Sequence, residues 1–334
     1  MSAENLMLGK EANSMAPIAS CLCGRGFGSR GPVGLGITPS GAGAAPGQGG
    51  AEQARQRAPL PPATHANVKY GPHARNVFDF WKAPSPAPTP LVLYIHGGAF
   101  RMGSKDGIDP LTLTRLLEAG ISVASIEYRF VTDAPLPAAH NDARRALQLL
   151  RSKAPEWGLD KARVGAYGGS AGAQICMWLA FHSDMADSQS ADPIARESTR
   201  LACVATTGGQ TTMDLEWWMK WIPGYDAPHR DRRESLGDLT DEAMRRVIGD
   251  LSALSLVSPD APPIFMSYGM KPDDPVPTDA EKARGWKVHH VVFGVKLKEK
   301  MDALGIEAAL KYPGAPATYE SIAQFFIAKL KVKG

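Results

Sequence analysis

The segment best suited to chemistry is Gly168-Gly169-Ser170-Ala171-Gly172, a Gly-x-Ser-x-Gly pattern between a short apolar stretch and a helical one. A serine at the tip of a strand-to-helix turn has a strained backbone and an exposed hydroxyl, and the flanking glycines let strand and helix approach closely. The first N–H groups of such a helix lack partners and can bind an oxyanion. We therefore predict that Ser170 is a nucleophile, although this pattern alone also fits a glycine-rich turn with a solvent-facing serine.

A second glycine-rich segment, His96-Gly97-Gly98-Ala99-Phe100, directly follows residues 91–95, a continuous apolar run typical of a buried strand. In parallel sheets the functional site lies at the carboxyl ends of the strands. Both this segment and Ser170 fall at such ends. The two segments together therefore predict one site at that edge of a sheet.

Strand and helix patterns alternate around these segments. Apolar runs predict strands at residues 74–81, 91–95, 121–128, 164–167, 201–206, 264–268 and 308–312. Helical spacing predicts helices at residues 111–119, 138–153, 171–181, 291–304 and 321–330. The alternation predicts an α/β protein with a mostly parallel sheet covered on both faces.

Composition limits the classes of protein that remain. The 334 residues are 44% hydrophobic, enough for one substantial core or at most two domains. A formal net charge of +3 is too small to indicate nucleic acid or an acidic membrane surface as a partner. No apolar run approaches the ~18 residues of a membrane span. Cys21, Cys23, Cys176 and Cys203 form neither a disulfide framework nor a metal-site pattern.

The chain begins with a low-complexity leader, predicted to be disordered over residues 1–65, before a folded domain at residues 66–334. Ile18-Ala19-Ser20-Cys21 superficially resembles a lipoprotein cleavage box, but no continuous apolar segment precedes it. We expect a cytoplasmic protein, with a secreted protein or lipoprotein as the alternative.

Residues 208–259 interrupt the alternation and are rich in aromatic side chains, with Trp217, Trp218 and Trp221 close together. Two interpretations fit equally. The segment is either a helical cap folded over the site, which would make the substrate pocket apolar, or a helical excursion whose tryptophans are buried against the domain.

The pairing of His96-Gly97-Gly98-Ala99 with Gly168-Gly169-Ser170-Ala171-Gly172 resembles the hormone-sensitive-lipase-like bacterial esterases of the α/β-hydrolase superfamily. The likeness covers residues 67–334 and is closer to the carboxylesterase-like branch in which His-His precedes a late helix. It implies an α/β-hydrolase fold and ester hydrolysis through an acyl-enzyme on Ser170, without a metal or organic cofactor. It also implies an oxyanion hole made by the N–H groups of Gly97, Gly98 and Ala171, with His96 bracing its loop.

The catalytic acid of these esterases follows the strand at residues 264–268. In this chain the sequence there is Met270-Lys271-Pro272-Asp273-Asp274-Pro275-Val276-Pro277. Asp274 matches the Asp-Pro-Val pattern and is the predicted acid, with Asp273 as the alternate. Both residues would equally suit a turn beside prolines.

The histidine of the related esterases is missing from its usual place. They carry it after the last strand in a Pro-Gly-x-Gly-His context, whereas this chain reads Pro313-Gly314-Ala315-Pro316 and has no histidine beyond His290. His289 and His290 begin a predicted helix on the same face as Ser170. We therefore predict His290 as the general base and His289 as the alternate. The competing interpretation is that the pair only packs the helix start.

Taken together, the residues predict a serine carboxylic-ester hydrolase acting on small-molecule esters with short-chain or acetyl groups. Two alternatives stay open. One is a catalytically inert hydrolase fold that binds a small molecule, and the other is a serine peptidase or amidase, since the same acyl-transfer groups cleave amides. A histidine within hydrogen-bond reach of Ser170 would favour an enzyme. The oligomeric state is not predictable from these features.

Overall fold

The computed structural model describes residues 59–331, which form an eight-stranded sheet flanked by helices. The strands are β1 (His65–Lys69), β2 (Val77–Trp81), β3 (Thr89–Ile95), β4 (Ser122–Ile126), β5 (Leu159–Gly169), β6 (Cys203–Thr207), β7 (Ile264–Ser267) and β8 (Ala308–Lys311). The helices are α1 (Pro110–Glu118), α2 (Ala138–Ser152), α3 (Ala154–Trp157), α4 (Ala171–Phe181), α5 (Leu215–Trp221), α6 (Arg233–Leu236), α7 (Asp241–Asp250), α8 (Ala253–Leu256), α9 (Ala280–Val288), α10 (Val292–Ala303) and α11 (Ile322–Leu330).

The strand order across the sheet is β1-β2-β4-β3-β5-β6-β7-β8. β2 is antiparallel to both β1 and β4, and the remaining neighbours run parallel. This confirms the predicted α/β class with a mostly parallel sheet. The register pairs Ile95 with Gly168 and Gly169 with Thr207, so the loops after β3, β5 and β6 leave the sheet side by side.

The central elements are buried because their sequences are apolar without interruption. All five residues of β4 are buried, as expected for a parallel strand covered on both faces. All eleven residues of α4 are buried, which is the pattern of a helix enclosed by other elements rather than lying on a surface. The helix that follows Ser170 is thus held rigidly in the core.

The structure contains elements that the sequence pattern does not predict, among them β1 and α9. Pro61 accepts a hydrogen bond from the Trp81 indole at 2.8 Å, and Thr64 accepts one from the Lys82 N–H at 2.9 Å, so positions assigned to the leader contact the sheet edge. The rest of the predicted leader, residues 1–58, lies outside the described residues, as does the lipoprotein-like box. Within the described part of the chain, no helix is both long and apolar enough to cross a bilayer.

Helix α9 lies between residues 268 and 291, where the sequence pattern predicts neither a helix nor a strand. Its nine residues include none that is buried, so the apolar periodicity that identifies most helices is absent. The available signal was the residue that precedes it: the Asp279 carboxylate accepts a hydrogen bond from the Lys282 N–H at 2.8 Å, the usual arrangement of an N-cap.

Candidate active site

Ser170 lies between the last residue of β5 and the first residue of α4, and its backbone has φ 50° and ψ −118°. This positive φ is strained for a residue with a Cβ atom, and such strain concentrates at functional sites. The Ser170 N–H donates to the Thr207 carbonyl at 3.0 Å, which ties the turn to the adjacent strand β6. The serine therefore has the backbone conformation that the Gly-x-Ser-x-Gly pattern predicts.

The glycines on either side of Ser170 are required by close packing against β3. A Cβ atom at Gly168 would lie 2.4 Å from the Ile95 carbonyl oxygen, and one at Gly172 would lie 2.0 Å from the same atom. Neither distance is compatible with a side chain, because the colliding atom is rigid backbone. The spacing of the motif thus follows from how closely α4 crosses the end of β3.

The loop after β3 brings its first glycine against Ser170. A Cβ atom at Gly97 would lie 2.7 Å from the Gly169 carbonyl, and Gly97 and Ser170 line the same cavity. Gly98 has φ +108°, which a side chain would strain, while Ala171 opens α4, where N–H groups lack intrahelical acceptors. Of the three residues predicted for an oxyanion hole, Gly97 lines the cavity of Ser170, Ala171 directly follows the serine in the chain, and Gly98 follows Gly97.

His96 is buried beneath this loop. Its ring stacks on Tyr128 with 4.2 Å between ring centroids, and its Nδ1 lies 2.7 Å from the Gly97 carbonyl. Its Nε2 lies 3.6 Å from the Glu127 carboxylate, and the Tyr128 hydroxyl donates to the His96 carbonyl at 2.8 Å. These contacts fit the predicted bracing role.

His289, the alternate candidate, is the residue that contacts the serine. Its Nε2 lies 3.0 Å from Ser170 Oγ, and its Nδ1 lies 2.9 Å from the carbonyl oxygen of Gly285. A carbonyl can only accept, so Nδ1 carries the proton in the neutral ring. This tautomer leaves Nε2 free to accept the hydrogen of the serine hydroxyl, which is the arrangement that a general base requires.

His290, the first choice from the sequence, turns into the core. It is fully buried, and its Nδ1 accepts a hydrogen bond from the Val292 N–H at 3.2 Å. Its ring packs edge-on against that of Trp286, with 4.3 Å between the ring centroids. Burial lowers the pKa of His290 to about 4, and the negative charge of Asp274 opposes that lowering. The structure thus brings His289, not His290, to Ser170, because the two residues leave the end of α9 in different directions.

The predicted acids do not meet His289. The Asp274 carboxylate accepts a hydrogen bond from the Lys271 N–H at 2.8 Å and closes a tight turn, and Asp273 is exposed. The position that an aspartate would occupy beside Nδ1 is taken by the Gly285 carbonyl. Ser170, His289 and Gly97 are therefore assembled in the structure, whereas Asp273 and Asp274 are held in the turn.

The Gly285 carbonyl belongs to the last turn of α9, and His289 is the residue that caps this helix. Helix C-termini carry a partial negative charge, which stabilises a nearby cation by about 0.3–1 kcal/mol at an exposed site. The imidazolium formed during proton transfer would therefore lie against a favourable field. Sequence reasoning missed this contribution because it did not identify α9.

The cavity in front of Ser170 has a volume of ≈ 760 Å³ and is broad and open. Its wall includes the aromatic and apolar side chains of Tyr94, Met270, Pro277 and Trp286, and Lys282 lies at its edge. Such a volume suits a small organic molecule. Within residues 59–331, no group of three or more His, Cys, Asp or Glu side chains could hold a metal ion.

The segment at 208–259 packs beside the site more than over it. Trp217 stacks on Phe293 of α10 at 5.4 Å, and Trp218 meets the same ring edge-on at 4.9 Å. Of this segment, Gly208 is the residue that lines the cavity of Ser170. Trp217 and Trp218 thus fit the second interpretation of the segment, whereas Trp221 is exposed. Helix α9 contributes Lys282, Gly285 and Trp286 to the cavity wall.

Comparison with known proteins agrees with this architecture. The family model described as BD-FAE matches residues 79–283. Carboxylesterase NlhH of Mycobacterium tuberculosis is 35% identical over 91 residues, which are 27% of this chain and 28% of that protein. Esterase LipQ of the same organism is 27% identical over 235 residues, 66% of this chain and 52% of that protein. The chain thus spans about half or less of these relatives.

A solved structure, a truncated form of a carbohydrate esterase from gut microbiota, superimposes with a TM-score of 0.60 at 20% identity. The match covers 79% of this chain and 95% of that structure. At this identity the likeness concerns the fold, and it shows that the eight-stranded sheet and its helices form an α/β-hydrolase fold.

Proposed function

The chain belongs to the BD-FAE family, and on that premise we propose that it is a serine carboxylic-ester hydrolase working through an acyl-enzyme. The observation that carries the proposal is the 3.0 Å approach of His289 Nε2 to Ser170 Oγ at the floor of an open cavity. The names of the carboxylesterase and esterase relatives support the same reaction class. The inert alternative loses support, since it predicts no histidine near the serine.

In the first step, Ser170 Oγ attacks the ester carbonyl carbon while its proton passes to His289 Nε2. The carbonyl oxygen becomes an oxyanion that the N–H groups of Gly97, Gly98 and Ala171 would bind. Loss of one such donor typically costs about 3 kcal/mol of transition-state stabilisation.

In the second step, the tetrahedral intermediate collapses and the imidazolium returns its proton to the departing alkoxide, which leaves as the alcohol. The acyl group is then bonded to Ser170 Oγ. Water attacks this ester with His289 again as base, and the acid is released with the serine hydroxyl restored. Protons balance, because His289 gains and returns one in each half of the cycle.

The proposed base works without a carboxylate. In a serine–histidine–aspartate triad, the aspartate fixes the histidine tautomer and stabilises the imidazolium. The Gly285 carbonyl, 2.9 Å from Nδ1 of His289, fixes the tautomer in place of the aspartate. The partial negative charge at the C-terminus of α9 stabilises the imidazolium in part. We therefore propose a Ser170–His289 dyad rather than the triad with Asp274 or Asp273.

Hydrolysis of p-nitrophenyl butyrate by wild type and by Ser170→Ala tests the function. We expect turnover in wild type that is abolished in the variant, and absence of turnover in wild type would overturn the proposal. A series of p-nitrophenyl esters from acetate to octanoate tests the short-chain preference, which rests on the family resemblance. A p-nitroanilide of matched acyl length tests the amidase alternative, which faster cleavage of the anilide would favour.

A further inference from the structure

A second cavity lies between α4 and the segment 213–248. Its volume is ≈ 40 Å³. Because one water needs roughly 10–15 Å³ of such space, this volume holds about three waters or a small organic ion. It shares no lining residue with the cavity of Ser170.

Half of the residues that line the second cavity are apolar. These apolar side chains belong to Phe100, Met213, Leu215, Trp218, Leu236 and Ile248. The other six lining residues are polar or charged and come from two directions: Gln174 from α4, and His229 to Arg232 with Ser235 from the segment. Apolar side chains combined with converging polar groups are typical of a small-molecule site.

Arg230 is the notable polar group. Its side chain is half-buried, and among the described residues it makes neither a hydrogen bond nor an ion pair. The nearby Glu234 carboxylate is bound to Arg101 at 2.8 Å. Burial lowers the pKa of Arg230, and the positive charge of Arg101 lowers it further. A half-buried guanidinium without a partner destabilises the folded state unless an anion binds to it.

Further donors face the same space. Ser235 is buried, and its hydroxyl has no partner among the described residues. The Tyr225 hydroxyl lies 2.7 Å from His229 Nδ1 and accepts a hydrogen bond from the His229 backbone N–H at 3.2 Å. Burial lowers the pKa of His229 to about 4, so the ring is neutral at pH 7 and offers an N–H.

The negative charge of Glu234 partly opposes the lowering of the Arg230 pKa, but among the described residues no carboxylate or amide forms an ion pair or a hydrogen bond with Arg230. Asp231 is exposed, and its carboxylate accepts the Arg233 N–H at 2.9 Å. Arg232 adds a second positive charge to the wall. The Gln174 amide donates to Gln210 at 2.8 Å, and its buried oxygen has no partner among the described residues.

We propose that this second cavity is a binding site for a short-chain carboxylate, with Arg230 and the Ser235 hydroxyl holding the carboxylate and the apolar wall holding the chain. The site is independent of the proposed ester hydrolysis, since Ser170 and His289 line the other cavity. The small volume favours a ligand of about two to four carbons.

Isothermal titration of the full chain with sodium propionate tests the site, with propan-1-ol as the neutral counterpart and phosphate as an anion without a chain. We expect 1:1 binding of propionate that Arg230→Met weakens about tenfold or more, and that Ser235→Ala weakens less. Arg246→Met is the matched control, because Arg246 is exposed on α7 and should leave the affinity unchanged. Equal propionate binding by wild type and Arg230→Met would overturn the proposal, as would equal binding of propan-1-ol or phosphate.

Thermal unfolding without ligand separates binding from a structural role. Removal of an unpaired guanidinium should leave the Tm of Arg230→Met equal to that of wild type or higher. A decrease of more than about 4 °C would mean that Arg230 stabilises the fold through its own contacts, and the ligand site would then be rejected.

Discussion

Replacing His289 with alanine should remove the general base while leaving the protein folded. A positioned base contributes about 10²–10⁴-fold to rate, so we expect kcat/KM to fall about 10³-fold, equivalent to about 4 kcal/mol. The cost in stability should be near 1 kcal/mol, because the ring is partly exposed and loses one hydrogen bond to the Gly285 carbonyl.

The adjacent histidine is the matched control. His290 is fully buried, so His290→Ala leaves a cavity and should lower the free energy of unfolding by about 2–4 kcal/mol. Its kcat per folded molecule should stay within about threefold of wild type, because its ring contacts Trp286 and the Val292 N–H rather than Ser170. His289→Ala should therefore lose activity with little loss of stability, and His290→Ala should lose stability with little loss of activity per folded molecule.

The assay is p-nitrophenyl butyrate hydrolysis at 20 °C, with the folded fraction measured by circular dichroism. Added imidazole provides a further readout, since His289 lines an open cavity of ≈ 760 Å³ that imidazole can enter. We expect imidazole to restore part of the rate in His289→Ala and to have no effect on His290→Ala. A folded His289→Ala that keeps the wild-type rate, alongside an inactive folded His290→Ala, would refute the assignment.

Three further predictions follow from the described contacts. Asp274→Asn should keep kcat within about threefold, since its carboxylate closes its own turn; a loss near 10³-fold in the same assay would restore Asp274 as the catalytic acid. Gly285→Ala should retain activity and raise the free energy of unfolding by up to about 1 kcal/mol, because a Cβ atom there meets nothing within 4 Å. Gly172→Ala should instead prevent soluble expression, because its Cβ atom would lie 2.0 Å from a β3 carbonyl oxygen. Burial lowers the pKa of His290 to about 4 and that of His140 to about 3, so between those values and about 6.5 the unfolded chain binds more protons than the folded chain. Chemical denaturation should therefore show a free energy of unfolding that falls as the pH drops from 7 to 4, with a shallower slope in His140→Leu. Equal slopes in the two proteins would contradict this linkage.

Much of the fold and half of the site could be predicted from the sequence, because these features depend on local pattern. Continuous apolar runs identified the parallel strands, and the glycine spacing around Ser170 identified the strained turn. The second segment, at Gly97 and Gly98, was placed beside Ser170 by the rule that loops at the carboxyl ends of parallel strands meet. The register of β3 on β5 places them there.

The base and its orienting group could not be predicted in the same way. The contact between Ser170 and His289 joins residues 119 positions apart, and the family pattern that usually identifies the histidine is absent. The carboxylate chosen by its Asp-Pro-Val pattern, Asp274, has the right residue type, but its turn directs it to backbone. A main-chain carbonyl as the orienting group has no sequence signature, because every residue has one.

The α/β sheet, the strained serine and the glycine-rich loop beside it therefore follow from local sequence pattern. Which of two adjacent histidines contacts the serine depends on tertiary packing. Side chains of neighbouring residues at a helix end point in different directions, so the outcome depends on where α9 stops and how it lies on the sheet. His289 caps that helix and lines the cavity of Ser170, whereas His290 is buried in the core.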